Sequence, residues 1–95
     1  MKADDVKPGM RNLDLELKVV DMEEPHTFEK KGKQGKVVTA VCEDDSGRVK
    51  VSLWDEDVDR VETGDRIRVE GGYSRLFKGE LRVSAGRHGE IVVLT

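Results

Sequence analysis

Hydrophobic residues fall at every second position in several short runs of the chain. Leu13, Leu15, Leu17 and Val19 alternate with Asp14, Glu16, Lys18 and Val20, the period of a strand that buries one face. Val37-Val38-Thr39-Ala40-Val41-Cys42 is a β-branched run between turn residues and predicts a second strand. Arg48-Val49-Lys50-Val51-Ser52-Leu53-Trp54 alternates again, and Glu43-Asp44-Asp45-Ser46-Gly47 before it has the composition of a tight turn, so strands two and three form a hairpin. The stretch from Asp21 to Lys36, with Pro25, Gly32 and Gly35, reads as a long loop. Asp55 to Thr63 places Val58 and Val61 among Glu56, Asp57, Asp59 and Glu62, which suits a short helical connector. Arg66-Ile67-Arg68-Val69-Glu70 follows as a fourth strand ended by Gly71-Gly72. Leu81-Arg82-Val83 and Ile91-Val92-Val93-Leu94 supply the last strand material around an expected Gly86-Arg87-His88-Gly89 turn.

Three strands, a connector and two or three further strands predict an all-β fold. That order fits a five-stranded Greek-key barrel of the oligonucleotide/oligosaccharide-binding (OB) type, with the short helical connector between strands 3 and 4 closing its bottom. An SH3-like barrel is the second candidate. The whole chain, 1–95, reads as one such domain.

Composition narrows the chemistry. Only 36% of residues are hydrophobic and 39% are charged, so a thin core sits inside a heavily charged shell. At 95 residues there is room for one closed sheet but not for a deep cavity lined by many side chains, which excludes a multidomain enzyme and disfavours a small-molecule one. The one cysteine, Cys42, cannot form an intrachain disulfide, and with His26 and His88 at irregular spacing it assembles no zinc site. Asp55, Glu56, Asp57 and Asp59 lack the spacing and glycine turn of a calcium loop, and neither histidine stands in a nucleophile triad. No cofactor and no catalysis are expected. No run approaches the ~18 apolar residues of a membrane span, and Met1-Lys2-Ala3-Asp4-Asp5 has no signal-peptide core, so a cytoplasmic protein with no membrane contact is expected.

The four aromatics are Phe28, Trp54, Tyr73 and Phe77. A thin core ought to claim them all, yet strand parity puts Val49, Val51 and Leu53 inside and turns Trp54 outward with Lys50 and Ser52. Tyr73 follows two glycines at the end of the fourth strand, and Phe77 sits in Tyr73 to Gly79, which reads as a polar loop with basic neighbours on both sides. Phe28 is open between stacking and core. Exposed aromatics interleaved with cations suit single-stranded nucleic acid, whose bases stack while its backbone follows positive charge. Formal charge is 17 minus 20, or −3, but it is segregated. Arg66, Arg68, Arg75, Lys78, Arg82 and Arg87 face only Glu70 and Glu80 in their stretch, and Lys30, Lys31, Lys33 and Lys36 have no acid between them. Acids collect at Glu43 to Asp45 and Asp55 to Asp59, expected at the hairpin tip and connector, away from the groove.

Gly47 to Asp55, Gly64-Asp65-Arg66-Ile67, Gly71, Tyr73, Phe77-Lys78-Gly79 and Ala85-Gly86-Arg87 resemble the archaeal and animal simple single-stranded DNA-binding proteins, relatives of the replication protein A barrels. The resemblance is best from Gly47 to Gly89 and weaker from Met10 to Cys42. It implies a single OB barrel in which Trp54, Tyr73 and Phe77 stack on bases. Lys50, Arg68, Arg75, Lys78, Arg82, Lys33 and Lys36 are then expected along the backbone path. Two departures stand out: animal members carry a further aromatic where this chain has Ser84, and many archaeal ones carry Trp in place of Tyr73. The relatives' flexible C-terminal tail for partner proteins is expected to be missing, since the chain stops at Thr95. The expected partner is single-stranded DNA, bound by a monomer alongside replication or repair proteins. RNA stays open because no residue is named for reading a 2′-hydroxyl. A barrel that anchors a partner protein through its aromatics is the alternative from another class.

Overall fold

Alternation along the strands becomes the wall of a barrel. The structure, a computed structural model, describes residues 1–85 and 89–95. A 3-10 turn (Ala3–Asp5) precedes β1 (Arg11–Met22), β2 (His26–Lys30), β3 (Lys33–Glu43), β4 (Arg48–Trp54), helix α1 (Glu56–Arg60), β5 (Arg66–Phe77) and β6 (Glu80–Val93). The six-stranded sheet runs β1-β5-β6-β4-β3-β2, and an additional β1–β3 pairing closes β1-β5-β6-β4-β3 into a ring with β2 outside it. Neighbours are antiparallel except β4 and β6, which run parallel. This is the expected OB-type barrel rather than an SH3-like one.

Inside the ring lie the residues that parity selects. Leu13, Leu15, Leu17 and Val19 of β1 meet Val38, Ala40 and Cys42 of β3, Val49, Val51 and Leu53 of β4, and Ile67, Val69, Val83 and Ile91 of β5 and β6. Burial pushes the Cys42 thiol up to about 12, so it stays protonated and serves as a small apolar core group. One end of the core is covered by the N-terminal segment, where Ala3 and Val6 are buried. Asp44, in the β3–β4 turn, anchors that segment: its carboxylate accepts from the Ala3 N–H at 2.8 Å, the Ser46 N–H at 2.8 Å and the Gly47 N–H at 3.2 Å. Val61, just after α1, is also buried, and Val58 packs against the core.

Four expectations need correction. Asp21 to Lys36 is not one long loop but holds β2 and the start of β3, joined by Lys31-Gly32 with φ of 52° and 77°. Two consecutive positive φ values make the primed turn whose twist matches that of a hairpin. α1 falls inside the expected connector, but because β2 is an extra strand it lies between β4 and β5 and not between strands three and four. β5 does not stop at Gly71-Gly72. The strand bends there, Gly71 at φ 62°, while its register shifts against both β1 and β6, and it then continues through Tyr73 to Phe77. The stretch expected as a polar loop is therefore strand, and only Lys78-Gly79, with φ of 51° and 81°, turns into β6. Gly86, Arg87 and His88, on which the expected turn and part of the family match fall, lie outside the described residues. No helix among the described residues is long and apolar enough to cross a membrane.

Candidate nucleic-acid interface

Residues paired across a sheet share a face, so the register lays out the outer surface of the barrel. Trp54 of β4 stands opposite Val37 of β3, which stands opposite His26 of β2. The next row along the strands reads Thr39, Ser52, Ser84 and Tyr73 on β3, β4, β6 and β5. After it come Val41, Lys50, Arg82 and Arg75 on the same four strands. Thr39, Ser52 and Ser84 point outward yet are buried, because short hydroxyl side chains sit beneath longer neighbours. A floor of small residues between large rings and cations makes a groove.

That groove is a cavity of about 440 Å³. Trp54 and Phe77 both line it, each 40% exposed, along with Arg75, Lys78 and Arg82. Exposure of large rings in a domain with so few apolar residues is a departure from the usual economy of a small core. Trp54 is the last residue of β4, where Asp55 at φ 50° ends the strand and its N–H donates to the Lys36 carbonyl at 2.8 Å. The Phe28 ring meets Trp54 edge to face, with centroids 5.7 Å apart and planes at 77°. Phe28 is therefore not core: it braces Trp54 from the hairpin. Its place is made by Gly35, directly opposite on β3, where a Cβ would fall 2.5 Å from Phe28 Cζ. Phe77 ends β5 at the other hairpin, with the Arg82 guanidinium carbon 4.8 Å and Lys78 Nζ 5.5 Å from its ring centroid.

The expected cations divide. Arg75, Lys78 and Arg82 line the groove, whereas Lys50 stands beside Arg82 in the row and is held by Glu23 at 2.9 Å and Glu80 at 3.0 Å. These two carboxylates hold the Lys50 ammonium above its ordinary value, and Lys50 with Arg82 holds the Glu80 carboxyl below its own. Lys36 is on the other face of β3 from Trp54, bonded at 2.8 Å to Asp59 of α1. Lys33 lies at the far tip of the β2–β3 hairpin, and Arg68 pairs with Glu70 at 3.5 Å further along β5; neither lines the groove. Tyr73 is on the groove face of β5, half-buried between Arg11 and Ser84, and stands outside the cavity lining.

Segregation of charge is also less complete than expected. Asp44 and Asp45 do lie away from the groove, with Lys2 against Asp45 at 2.7 Å, but Glu23 and Glu24 line the groove and Glu80 reaches into its cationic row. His26, Thr39 and Ser52 are further lining residues that sequence reasoning did not select. A two-residue Lys31-Gly32 turn flanked by His26-Thr27-Phe28 and Lys33-Gln34-Gly35 was the available signal, since it pairs His26 and Phe28 onto the Trp54 face. Among the described residues no group of three His, Cys, Asp or Glu is placed to hold a metal ion.

Known proteins are similar to this chain in sequence and fold. The chain is 26% identical over 90 residues to the single-stranded DNA binding protein Ssb of Saccharolobus solfataricus, covering 95% of this chain and 61% of that protein. It is 31% identical over 81 residues to Replication factor A of Methanothermobacter thermautotrophicus, covering 84% of this chain and 10% of that one. Among solved structures, the second OB-fold domain of replication protein A from Methanococcus maripaludis superimposes with a TM-score of 0.75 at 26% identity, over 99% of this chain and 93% of that one. Residues 6–93 match the family described as single-stranded DNA binding protein Ssb-like, OB fold. The match spans nearly the whole barrel, and the chain belongs to that Ssb-like OB-fold family.

Proposed function

We propose that this chain binds single-stranded DNA with little sequence preference, as one OB domain acting without catalysis and as a monomer. The observation that carries the reading is the convergence of Trp54, Phe77, Arg75, Lys78 and Arg82 on one groove. Bases stack on the two rings, and the backbone follows the cations. Tyr73 supplies a third stacking surface further along β5, while Lys33 and Arg68 meet the strand only where it extends beyond the groove. Lys36, tied to Asp59, contributes once that ion pair opens. The names of the relatives, a single-stranded DNA binding protein and a replication factor A, support a role in DNA replication; action in repair, beside partner proteins and in the cytoplasm, belongs to the same proposal.

The experiment is a titration of Trp54 fluorescence with oligothymidine, the matching RNA and duplex DNA at two salt concentrations. Trp54 is the single tryptophan, so the signal reports on the groove alone. Quenching by the single strand and not the duplex, weakening with salt at a slope of about −0.7 per phosphate neutralised, is the expected result. Equal or stronger response to RNA assigns the groove to RNA. No response to any of them turns the exposed rings into a protein-docking surface, whose affinity would depend little on salt.

A further inference from the structure

Three cations stand side by side on adjacent strands, two of them, Arg82 and Arg75, in the groove lining. Lys50 on β4 is in register with Arg82 on β6, and Arg82 with Arg75 on β5. Like charges directly opposite one another destabilise a sheet, so this row needs anions. The protein supplies two of its own. Glu23, whose N–H donates to the Thr39 carbonyl of β3 at 2.9 Å, reaches Lys50 from one side. Glu80, at the start of β6, reaches it from the other, and its second oxygen accepts from Arg82 at 3.2 Å. Neither carboxylate leaves the row saturated. The Nε of Arg82 is buried and has no acceptor among the described residues, a costly state for an N–H.

We propose that Glu80, assisted by Glu23, is a resident stand-in for nucleic-acid phosphate, pairing with Lys50 and Arg82 of the Lys50–Arg82–Arg75 row in the free protein and giving them up when a strand backbone enters. This rests on the single-strand reading above. Carboxylate and phosphate offer the same charge-assisted acceptors to ammonium and guanidinium, so the exchange keeps Lys50 and Arg82 paired at both ends of the reaction. Released by Glu80, the Arg82 guanidinium is free to turn its Nε, buried in the free protein, toward a phosphate, which a guanidinium takes through two parallel N–H bonds. Because Arg82 lies over the Phe77 ring at 4.8 Å, the carboxylate that restrains Arg82 also decides whether that ring face is open to a base. Glu80 is thus a positioning residue that holds affinity below what the cations alone would give.

The test is a double-mutant cycle read by the oligothymidine titration, with thermal melts to follow the fold. Glu80→Gln is expected to tighten binding about three- to fivefold, the size of one exposed ion pair. Glu23→Gln should tighten it less, because Glu80 still holds both cations, and this milder variant keeps the test alive if Glu80→Gln does not fold. In a Lys50→Gln/Arg82→Gln background the gain from Glu80→Gln should vanish. An equal gain in both backgrounds makes Glu80 a distant charge and overturns the exchange, as does unchanged or weaker binding in both glutamine variants. Wild-type protein that binds no oligothymidine removes the single-strand reading and the exchange together; wild-type binding without a gain in the variants removes the exchange alone.

Discussion

Leu53 and Trp54 are chain neighbours with opposite fates, Leu53 fully buried and Trp54 40% exposed. Their substitutions should separate cleanly. Leu53→Ala opens a cavity in the barrel and should cost about 2–5 kcal/mol of stability, measured by denaturant unfolding. Trp54→Ala removes a ring whose outer side meets solvent and whose edge contact is Phe28, so stability should fall only by the roughly 0.5–1.5 kcal/mol of that aromatic pair while oligothymidine binding weakens by about 1–3 kcal/mol. A collapse of stability in Trp54→Ala would show that the ring is a structural plug. Trp54 was legible in the sequence because it ends a strand whose other members alternate without interruption, so its side was fixed by counting. Phe28 was not, since its side depends on a hairpin whose only local mark is the Lys31-Gly32 turn inside a stretch that reads as loop: Phe28 faces Gly35 only because β2 turns back on β3 there. Glu23 and Glu80 escaped for a related reason. A glutamate is ordinarily a solvated surface residue, and only the meeting of two distant segments on Lys50 gives these two a role.

Hairpins decide how the platform is held. The β2–β3 hairpin hangs outside the closed ring, and its one aromatic, Phe28, is braced between Gly35 and Trp54. Gly35→Ala should push the Phe28 ring off its seat, since the new Cβ would overlap it. The expected result is a red shift of Trp54 emission, a loss of roughly 0.5–1.5 kcal/mol from the broken aromatic pair, and weaker binding with the barrel intact. Unchanged emission would mean that the pair forms regardless of Gly35. At this scale the ring strands were readable where alternate residues are buried, as in Leu13 to Val19, Val49 to Leu53 and Ile67 to Val69. The extra strand was not, because every residue of β2 is exposed and nothing apolar marks its period. Gly71-Gly72 misled for a comparable reason: paired glycines end strands in most settings, but here they bend β5 so that its second half carries Tyr73, Arg75 and Phe77 over the groove.

For the molecule as a whole, the same carboxylates tie stability to pH and binding to pH with opposite signs. Burial alone would raise the Asp44 carboxyl, but hydrogen bonds from the Ser46 hydroxyl and from the N–H groups of Ala3, Ser46 and Gly47 outweigh it and hold it at about 2. Glu80 is lowered in the same direction by its bonds to Lys50 and then Arg82. A carboxyl lowered on folding stabilises above its unfolded value and loses that contribution as pH falls through its folded value. Asp57, raised chiefly by burial, works the other way and is relieved by acid. The window for Asp44 therefore runs from about 4 down to about 2. Asp44→Ala should lose about 1–2 kcal/mol at neutral pH, as for a lost cap, because it frees both the β3–β4 turn and the N-terminal segment that covers the core. Its melting temperature should converge on that of the wild type as pH approaches 2; a gap that persists there would show that the Asp44 contacts hold without its charge. Binding should move the opposite way. Protonating Glu80, below the ordinary 4.5, releases Lys50 and Arg82, so the affinity ratio between Glu80→Gln and wild type for oligothymidine should fall toward one as pH drops through that range. Thymine does not titrate there, and the ratio cancels the charge that every other carboxylate loses. A ratio that stays constant while the wild type remains folded would mean that Glu80 gives nothing up when it is protonated, and the cations of the groove would then be free from the start.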